Sequence, residues 1–191
     1  MIDLKEIKDK LKSELNPHRY EHTMGVMYTA VSLAMCYGED IDKAALAGLL
    51  HDCGKCYGDE ESIKLCDKYG VTLSEFELKN TALIHAKLGA ALAKEIYGIN
   101  DEAIISAIRS HTTGREAMDT LSKIVFIADY IEPGRDKAKR LKEIREEAFK
   151  DLDKTLLMIL SDTLEYLKGT GELIDPQTQK TYDYYAGINK L

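Results

Sequence analysis

Ionisable side chains interrupt segments of the sequence that are otherwise apolar. His51 and Asp52 directly follow AALAGLL, the most apolar stretch of the chain, and Asp129 stands inside IVFIADYI. Burying an ionised carboxylate without a partner costs several kcal/mol or more, and a bound cation offsets that cost best. These positions are therefore candidates for a metal site.

The histidines point to the same chemistry. The chain has five, and four of them stand on, or at the end of, different predicted helices: His22, His51, His85 and His111. Residues from facing helices can converge on a metal in the core of a bundle. Imidazole nitrogens together with carboxylate oxygens suit iron, manganese, zinc, cobalt or nickel better than calcium.

Each candidate also has an ordinary structural interpretation. A single histidine on a helix is usually a satisfied core or surface residue, and Asp129 alone could equally be the partner in a buried salt bridge. The combination is more specific than its parts. A histidine, then a His-Asp pair, then an aspartate, each in its own helix, predicts a metal centre.

Helix start and stop signals recur along the chain and would position these residues. Asn16-Pro17 is typical of a helix start and Gly38 of a helix end. Further helices are predicted over residues 44–51, 85–97, 103–110 and 121–131. No alternating strand pattern, internal repeat or flexible linker is evident. We expect one all-α domain over residues 1–191, with a core from about 16 to 170 and an irregular tail from 171 to 191.

Composition and charge exclude some classes of partner. The chain has 191 residues, 45% of them hydrophobic, and a formal net charge of −7, which disfavours a nucleic-acid polymer. No apolar run is long enough for a membrane span, and the N-terminus lacks the apolar core of a signal peptide. A cytoplasmic location is the default expectation. The oligomeric state stays open, although an apolar face on the last predicted helix is compatible with a homodimer.

The order of the candidate ligands resembles the HD-domain phosphohydrolase superfamily. Five motifs in sequence sharpen the resemblance, namely RYEHTMGV, GLLHDCGK, LIHAKLGA, AIRSHTTG and KIVFIADYIEPGR. Together they are similar to the YqeK-type family of HD proteins, and the likeness runs from about Arg19 to Gly171. Members of that family are symmetrical bis(5'-nucleosyl)-tetraphosphatases, which cut diadenosine tetraphosphate into two molecules of ADP. The resemblance thus implies a single HD-domain bundle with that activity.

The resemblance also implies how the ligands are shared between one or two divalent metal ions. His22, His51, Asp52 and Asp129 would hold one metal, His85 and His111 would bring in a second, and Asp52 would bridge them. Iron is the metal that the family suggests, with manganese, cobalt and zinc left open. Water activated by the metals would then attack a central phosphorus of the substrate.

Other residues of these motifs are expected to bind the small nucleotide substrate. Lys55 lies one helical turn beyond His51, could reach a phosphate oxygen, and is placed with Asp52 in the catalytic machinery. Arg19 and Arg135 could bind phosphate or ligand, and the turn of Thr112, Thr113 and Gly114 could hold an anion. A solvated lysine, an exposed ion pair and a simple helix end are the respective structural alternatives.

Three competing functions follow from the same residues. An HD enzyme could act on another nucleotide, such as a nucleoside triphosphate, a deoxynucleotide or a cyclic nucleotide. A protein with the same fold could bind nucleotides as a non-catalytic sensor. Finally, Cys53 and Cys56 form a Cys-x-x-Cys motif that can signal redox chemistry, although no βαβ pattern accompanies it.

Overall fold

The computed structural model describes residues 4–188, and in that range the chain is built from α-helices without any strand. The helices are α1 (Leu4–Glu14), α2 (Pro17–Tyr37), α3 (Ile41–Leu50), α4 (Asp59–Lys68), α5 (Glu75–Lys79), α6 (Ile84–Glu95), α7 (Glu102–Ser110), α8 (Thr120–Ile131), α9 (Leu141–Glu147), α10 (Leu152–Thr170) and α11 (Pro176–Ile188). Short 3-10 turns occupy Cys53–Cys56 and Thr81–Leu83. The all-α prediction is confirmed.

Helix α2 begins and ends where its capping residues predict. The Asn16 side chain accepts a hydrogen bond from the Arg19 N–H at 2.9 Å, and Pro17 follows in the first turn. Gly38 ends the helix in the left-handed conformation, with φ +69°. Between these caps His22 lies on the buried face of the helix.

Five helices form the centre of the molecule. Helices α2, α3 and α8 pack against one another, and α7 packs against α3, α6 and α8. Helix α3 is apolar nearly all round and most of its residues are buried, as its sequence predicts. Its buried position brings residues 51 and 52, which follow it, into the interior.

The prediction of an irregular tail was wrong. Residues 176–188 form α11, which packs against α10. Thr178, Thr181 and Tyr185 are buried at helical spacing, and the Tyr185 hydroxyl accepts the Met118 N–H at 3.0 Å. The sequence did not indicate this buried stripe because most residues of the segment are polar. Only the packing of the segment against the rest of the molecule shows which of its residues are buried. Residues 189–191 of the expected tail lie outside the described part of the chain.

No helix between residues 4 and 188 is long and apolar enough to cross a membrane.

Candidate metal centre

Five helices supply the six predicted ligands. His22 comes from α2, His51 ends α3, His85 begins α6, His111 ends α7, and Asp129 lies in α8, while Asp52 follows His51 in the turn. Gly54 permits a close approach here, since a Cβ at this position would lie 2.4 Å from the His85 carbonyl oxygen. The chain therefore gathers residues 107 positions apart in sequence (22 to 129) around one point.

Asp52 lies between two pairs of histidines. Its Oδ2 atom is 3.5 Å from His51 Nε2 and 3.8 Å from His22 Nε2. Its Oδ1 atom is 3.5 Å from both His85 Nε2 and His111 Nε2. Each carboxylate oxygen thus faces a different pair, which is the arrangement that a bridging ligand requires.

Asp129 completes the first group of ligands. Its Oδ1 atom lies 3.0 Å from His22 Nε2 and 3.9 Å from His51 Nε2. Donor atoms of His22, His51 and Asp129 fall within 4.8 Å of one another, as do those of His51, Asp52 and His111. Two overlapping sets of three residues could therefore each hold a metal ion.

Hydrogen bonds to the backbone fix how three of the imidazoles are oriented. The Nδ1 atoms of His51, His85 and His111 lie 2.7, 2.5 and 2.7 Å from the carbonyl oxygens three residues upstream. A carbonyl oxygen only accepts, so each Nδ1 carries the proton and donates it. The Nε2 atoms then present lone pairs to the centre, as in metal-ligating histidines.

These lone pairs test whether the residues fit a metal. His85 Nε2 and His111 Nε2 are 3.1 Å apart, and the single hydroxyl proton of Thr112 can serve only one of them. His51 Nε2 is fully buried, faces carboxylate oxygens and has no hydrogen-bond partner within residues 4–188. Burial and the nearby His111 lower the pKa of His85 to about 3, so its imidazole is neutral at pH 7. Buried lone pairs that face each other and carboxylates are mutually repulsive, and a divalent cation between them removes the repulsion.

Glu132 is a residue of this site that the sequence analysis missed. It is 4% exposed, and its Oε1 atom lies 3.1 Å from His22 Nδ1. Its Oε2 atom accepts the Gly134 N–H at 2.6 Å. His22 thus donates to a carboxylate, whereas the other three histidines donate to carbonyl groups, and both kinds of partner orient a metal-ligating histidine. The signal was weak, because a glutamate before proline looks like an ordinary helix end.

Three predicted substrate-binding cations surround the ligands. Arg19 Nη1 is 2.9 Å from Asp52 Oδ2, and Lys55 Nζ is 3.0 Å from Asp52 Oδ1. Arg135 Nη2 is 2.6 Å from Asp129 Oδ1. Each of these side chains contacts a carboxylate that would ligate a metal. A bound metal ion would therefore compete with the Arg and Lys side chains for the carboxylates, and these side chains would then be available to an anion. Their role in binding substrate stays a prediction.

The turn after α7 contains the three residues that were predicted to hold an anion, and one of them, Gly114, has a role in packing. Gly114 has a φ of +65°, and a Cβ there would lie 2.6 Å from Thr181 Cγ2 of α11. The backbone and the packing therefore require a glycine here whether or not the turn binds an anion. Thr112 faces the His85–His111 pair, whereas Thr113 donates to the Gly114 carbonyl at 3.3 Å. Of the three, Thr112 is the one in contact with the centre.

The geometry gives no support to redox chemistry at the Cys-x-x-Cys motif. Cys53 and Cys56 are free thiols, and Cys53 is buried. Burial raises the pKa of the Cys53 thiol well above its ordinary value and that of Cys56 to about 11. Both thiols are protonated at neutral pH, whereas thiol chemistry requires the thiolate.

Comparison with known proteins identifies the relatives of the chain. The family model of the HD domain matches residues 19–134. A symmetrical bis(5'-nucleosyl)-tetraphosphatase of Halalkalibacterium halodurans is 39% identical over 91% of each chain, and one of Bacillus subtilis is 37% identical over 91% of this chain and 92% of its own. A crystal structure of a predicted HD superfamily hydrolase involved in NAD metabolism from Clostridium acetobutylicum superposes with a TM-score of 0.94. It is 41% identical and covers 98% of this chain and 99% of its own.

Proposed function

The chain belongs to the HD domain family and, within it, to the symmetrical bis(5'-nucleosyl)-tetraphosphatases, and we propose that it hydrolyses diadenosine tetraphosphate to two molecules of ADP. One water adds to one of the two central phosphorus atoms, and the phosphoanhydride bond between them breaks. The placement of Asp52 between two pairs of histidine lone pairs carries the proposal most directly. This placement supports a proposal of two cation positions that share Asp52.

Six side chains would hold the metal: His22, His51, Asp52 and Asp129 at one position, and His85 and His111 with Asp52 at the other. When bound, such cations lower the pKa of a water molecule and neutralise charge on phosphoryl oxygens. The nitrogen and oxygen donors suit a borderline metal, and we propose iron, with manganese, cobalt and zinc as alternatives. We propose that one or two metal ions bind, with at most one ion in each group of ligands.

Arg19, Lys55 and Arg135 would bind the phosphate chain. Lys55, which is paired with Asp52, would contact a phosphate oxygen near the departing ADP when Asp52 holds a cation. Arg19 and Arg135 can bind phosphate oxygens in pairs through their guanidinium groups. Thr112, with its hydroxyl at the His85–His111 pair, would donate to a phosphate oxygen once a cation occupies the imidazoles. Thr113 and Gly114 remain weaker candidates for this contact.

The products of the reaction test the proposal. The chain would be loaded without oxygen with iron or, in parallel, with manganese, and incubated with diadenosine tetraphosphate, ATP, a deoxynucleoside triphosphate and NAD. We expect ADP as the sole nucleotide product from diadenosine tetraphosphate, and a much lower rate with the others. Formation of AMP and ATP would contradict symmetrical cleavage, and faster attack on ATP would favour an HD enzyme for another nucleotide.

The non-catalytic sensor predicts a different result. It would bind nucleotide but turn over none of these substrates with iron, manganese, cobalt or zinc. A cytoplasmic location and a homodimer remain predictions from the sequence.

A further inference from the structure

Two cavities have a predicted metal ligand in their lining, His85 in one and His22 in the other. The first has a volume of about 510 Å³ and reaches the centre at His85 and Lys55. The second has a volume of about 790 Å³ and reaches it at His22 and Arg135. Arg19, whose guanidinium group contacts Asp52, lines both cavities. Both volumes fall in the range of about 300 to 1,000 Å³ that is usual for small-molecule sites.

A tyrosine lines each cavity. Tyr57 lines the first cavity together with Leu15, and Tyr130 lines the second together with Pro133. Both tyrosines are partly buried and pack against the core, which holds their rings in place. Aromatic side chains of this kind bind nucleic-acid bases by stacking. Each cavity is therefore lined by a cationic side chain next to the centre and by a tyrosine, the type of side chain that stacks with bases.

We propose that the two nucleosides of the substrate occupy these two cavities, one beside Tyr57 and the other beside Tyr130. The phosphate chain then crosses the centre next to Arg19. This assignment rests on the proposed function. A substrate with identical halves that is cut at its midpoint needs a nucleoside site on each side of the attacked phosphorus. If both nucleosides are bound, the middle phosphoanhydride bond lies at the metal site. If only one nucleoside is bound, the neighbouring phosphoanhydride bonds can also reach the metal site and be cleaved.

A third cavity near the centre is a poorer candidate for a nucleoside. Its volume is about 330 Å³, and Phe76, Thr112 and Thr113 contribute to its lining. None of the six ligand residues lines it, so a nucleoside there would be separated from the metals. Phe76 offers a matched aromatic residue for a control variant.

Binding of the product ADP tests the assignment without turnover. Calorimetry with the manganese-loaded chain should give two ADP per chain. Tyr57→Leu and Tyr130→Leu keep apolar volume but remove the aromatic ring, and each should weaken one of the two sites by about tenfold or more. Tyr57→Phe and Tyr130→Phe should retain both sites, and Phe76→Leu should leave both unchanged.

Kinetics with adenosine 5'-tetraphosphate provide a second measurement, because this compound has four phosphates and a single nucleoside. Its kcat/KM should be at least tenfold below that of diadenosine tetraphosphate, and the two leucine variants should affect it unequally. Both leucine variants should lower kcat/KM for diadenosine tetraphosphate.

A single ADP site in the wild-type chain would overturn the assignment even if the leucine variants fail to fold. So would two intact sites in a folded Tyr57→Leu or Tyr130→Leu chain, or the loss of one site in Phe76→Leu. If the wild-type chain binds two ADP but cleaves no dinucleoside tetraphosphate, the proposed function fails while the two nucleoside sites stand.

Discussion

At the scale of single residues, the centre depends on which nitrogen of each imidazole carries the proton. The sequence identifies six candidate ligand residues by type, because histidine and aspartate are unusual inside apolar helices. It cannot predict the carbonyl groups that fix the rings, since the hydrogen bond from His51 to Gly48 follows from the path of the helix end. It also gives little sign of Glu132, whose partner lies 110 positions away.

Glu132 should control metal affinity without touching the metal. We expect Glu132→Ala to weaken metal binding by about 10- to 100-fold, because His22 loses the carboxylate that orients its ring. Competition with a fluorescent chelator would measure the dissociation constants for manganese.

Two further variants make this experiment specific. Glu132→Gln can satisfy either His22 or the Gly134 N–H but not both, so its affinity should be intermediate. Glu6→Gln, an exposed glutamate of α1, should bind metal like the wild-type chain. Equal affinity in Glu132→Ala and the wild type would show that Glu132 has no such role.

At the scale of elements, local signals predict the helices that carry the ligands. Asn16, Pro17 and Gly38 define α2, and the apolar runs define α3 and α8. Helix α11 was missed because its buried stripe contains two threonines and a tyrosine among polar residues. Its place in the fold follows from contacts with α10 and with the turn after α7, which the local sequence does not encode.

Two adjacent tyrosines test whether α11 is part of the folded core. Tyr185 is 1% exposed and its hydroxyl accepts the Met118 N–H, whereas Tyr184 is 37% exposed. Tyr185→Ala should lower the free energy of unfolding by about 3 to 5 kcal/mol through the cavity it creates. Tyr184→Ala should cost less than about 1 kcal/mol. Urea denaturation measures both changes in the free energy of unfolding. Equal changes would mean that α11 is not part of the hydrophobic core.

An ionised glutamate, Glu77, connects α5 to α6, the helix that carries His85. Glu77 accepts hydrogen bonds from Ser74 and lies 2.7 Å from Lys87 Nζ of α6. Burial alone would raise the pKa of Glu77, but these contacts outweigh it and lower the pKa below its ordinary value of 4.5. The stabilisation is therefore complete above pH 4.5 and is lost as the pH falls through the lower, folded value.

The pH dependence of a glutamine variant tests this contact. Glu77→Gln should lower the free energy of unfolding by about 1.5 to 3 kcal/mol at pH 7, and the difference should shrink as the pH falls below 4.5. Denaturant titrations of both chains between pH 3 and pH 7 would measure it. Glu75→Gln, on the exposed face of the same helix, should give a small and nearly constant difference. A difference for Glu77→Gln that persists unchanged at pH 3 would rule out the ionic contribution.

At the scale of the whole molecule, the net charge of −7 and the affinity for a highly anionic substrate are compatible. Arg19, Lys55 and Arg135 lie beside the predicted ligands, each paired with Asp52 or Asp129. Bound cations would make this one region positive. A negative global charge therefore does not conflict with binding of a small phosphorylated ligand.

The same centre couples metal binding to the stability of the entire fold. Without a cation, five helices must hold lone pairs and carboxylates together in the interior, so metal removal should destabilise the chain. At about 100 times the dissociation constant, manganese should add about 2.7 kcal/mol and raise the Tm of the metal-depleted chain by about 5 to 10 °C. Differential scanning calorimetry with and without manganese measures the shift. Calcium should produce little, because it prefers oxygen ligands, and Asp52→Asn should abolish most of the manganese effect because it weakens the ligand shared by both groups. A Tm unchanged by manganese, iron, cobalt and zinc would mean that these helices do not enclose a metal site.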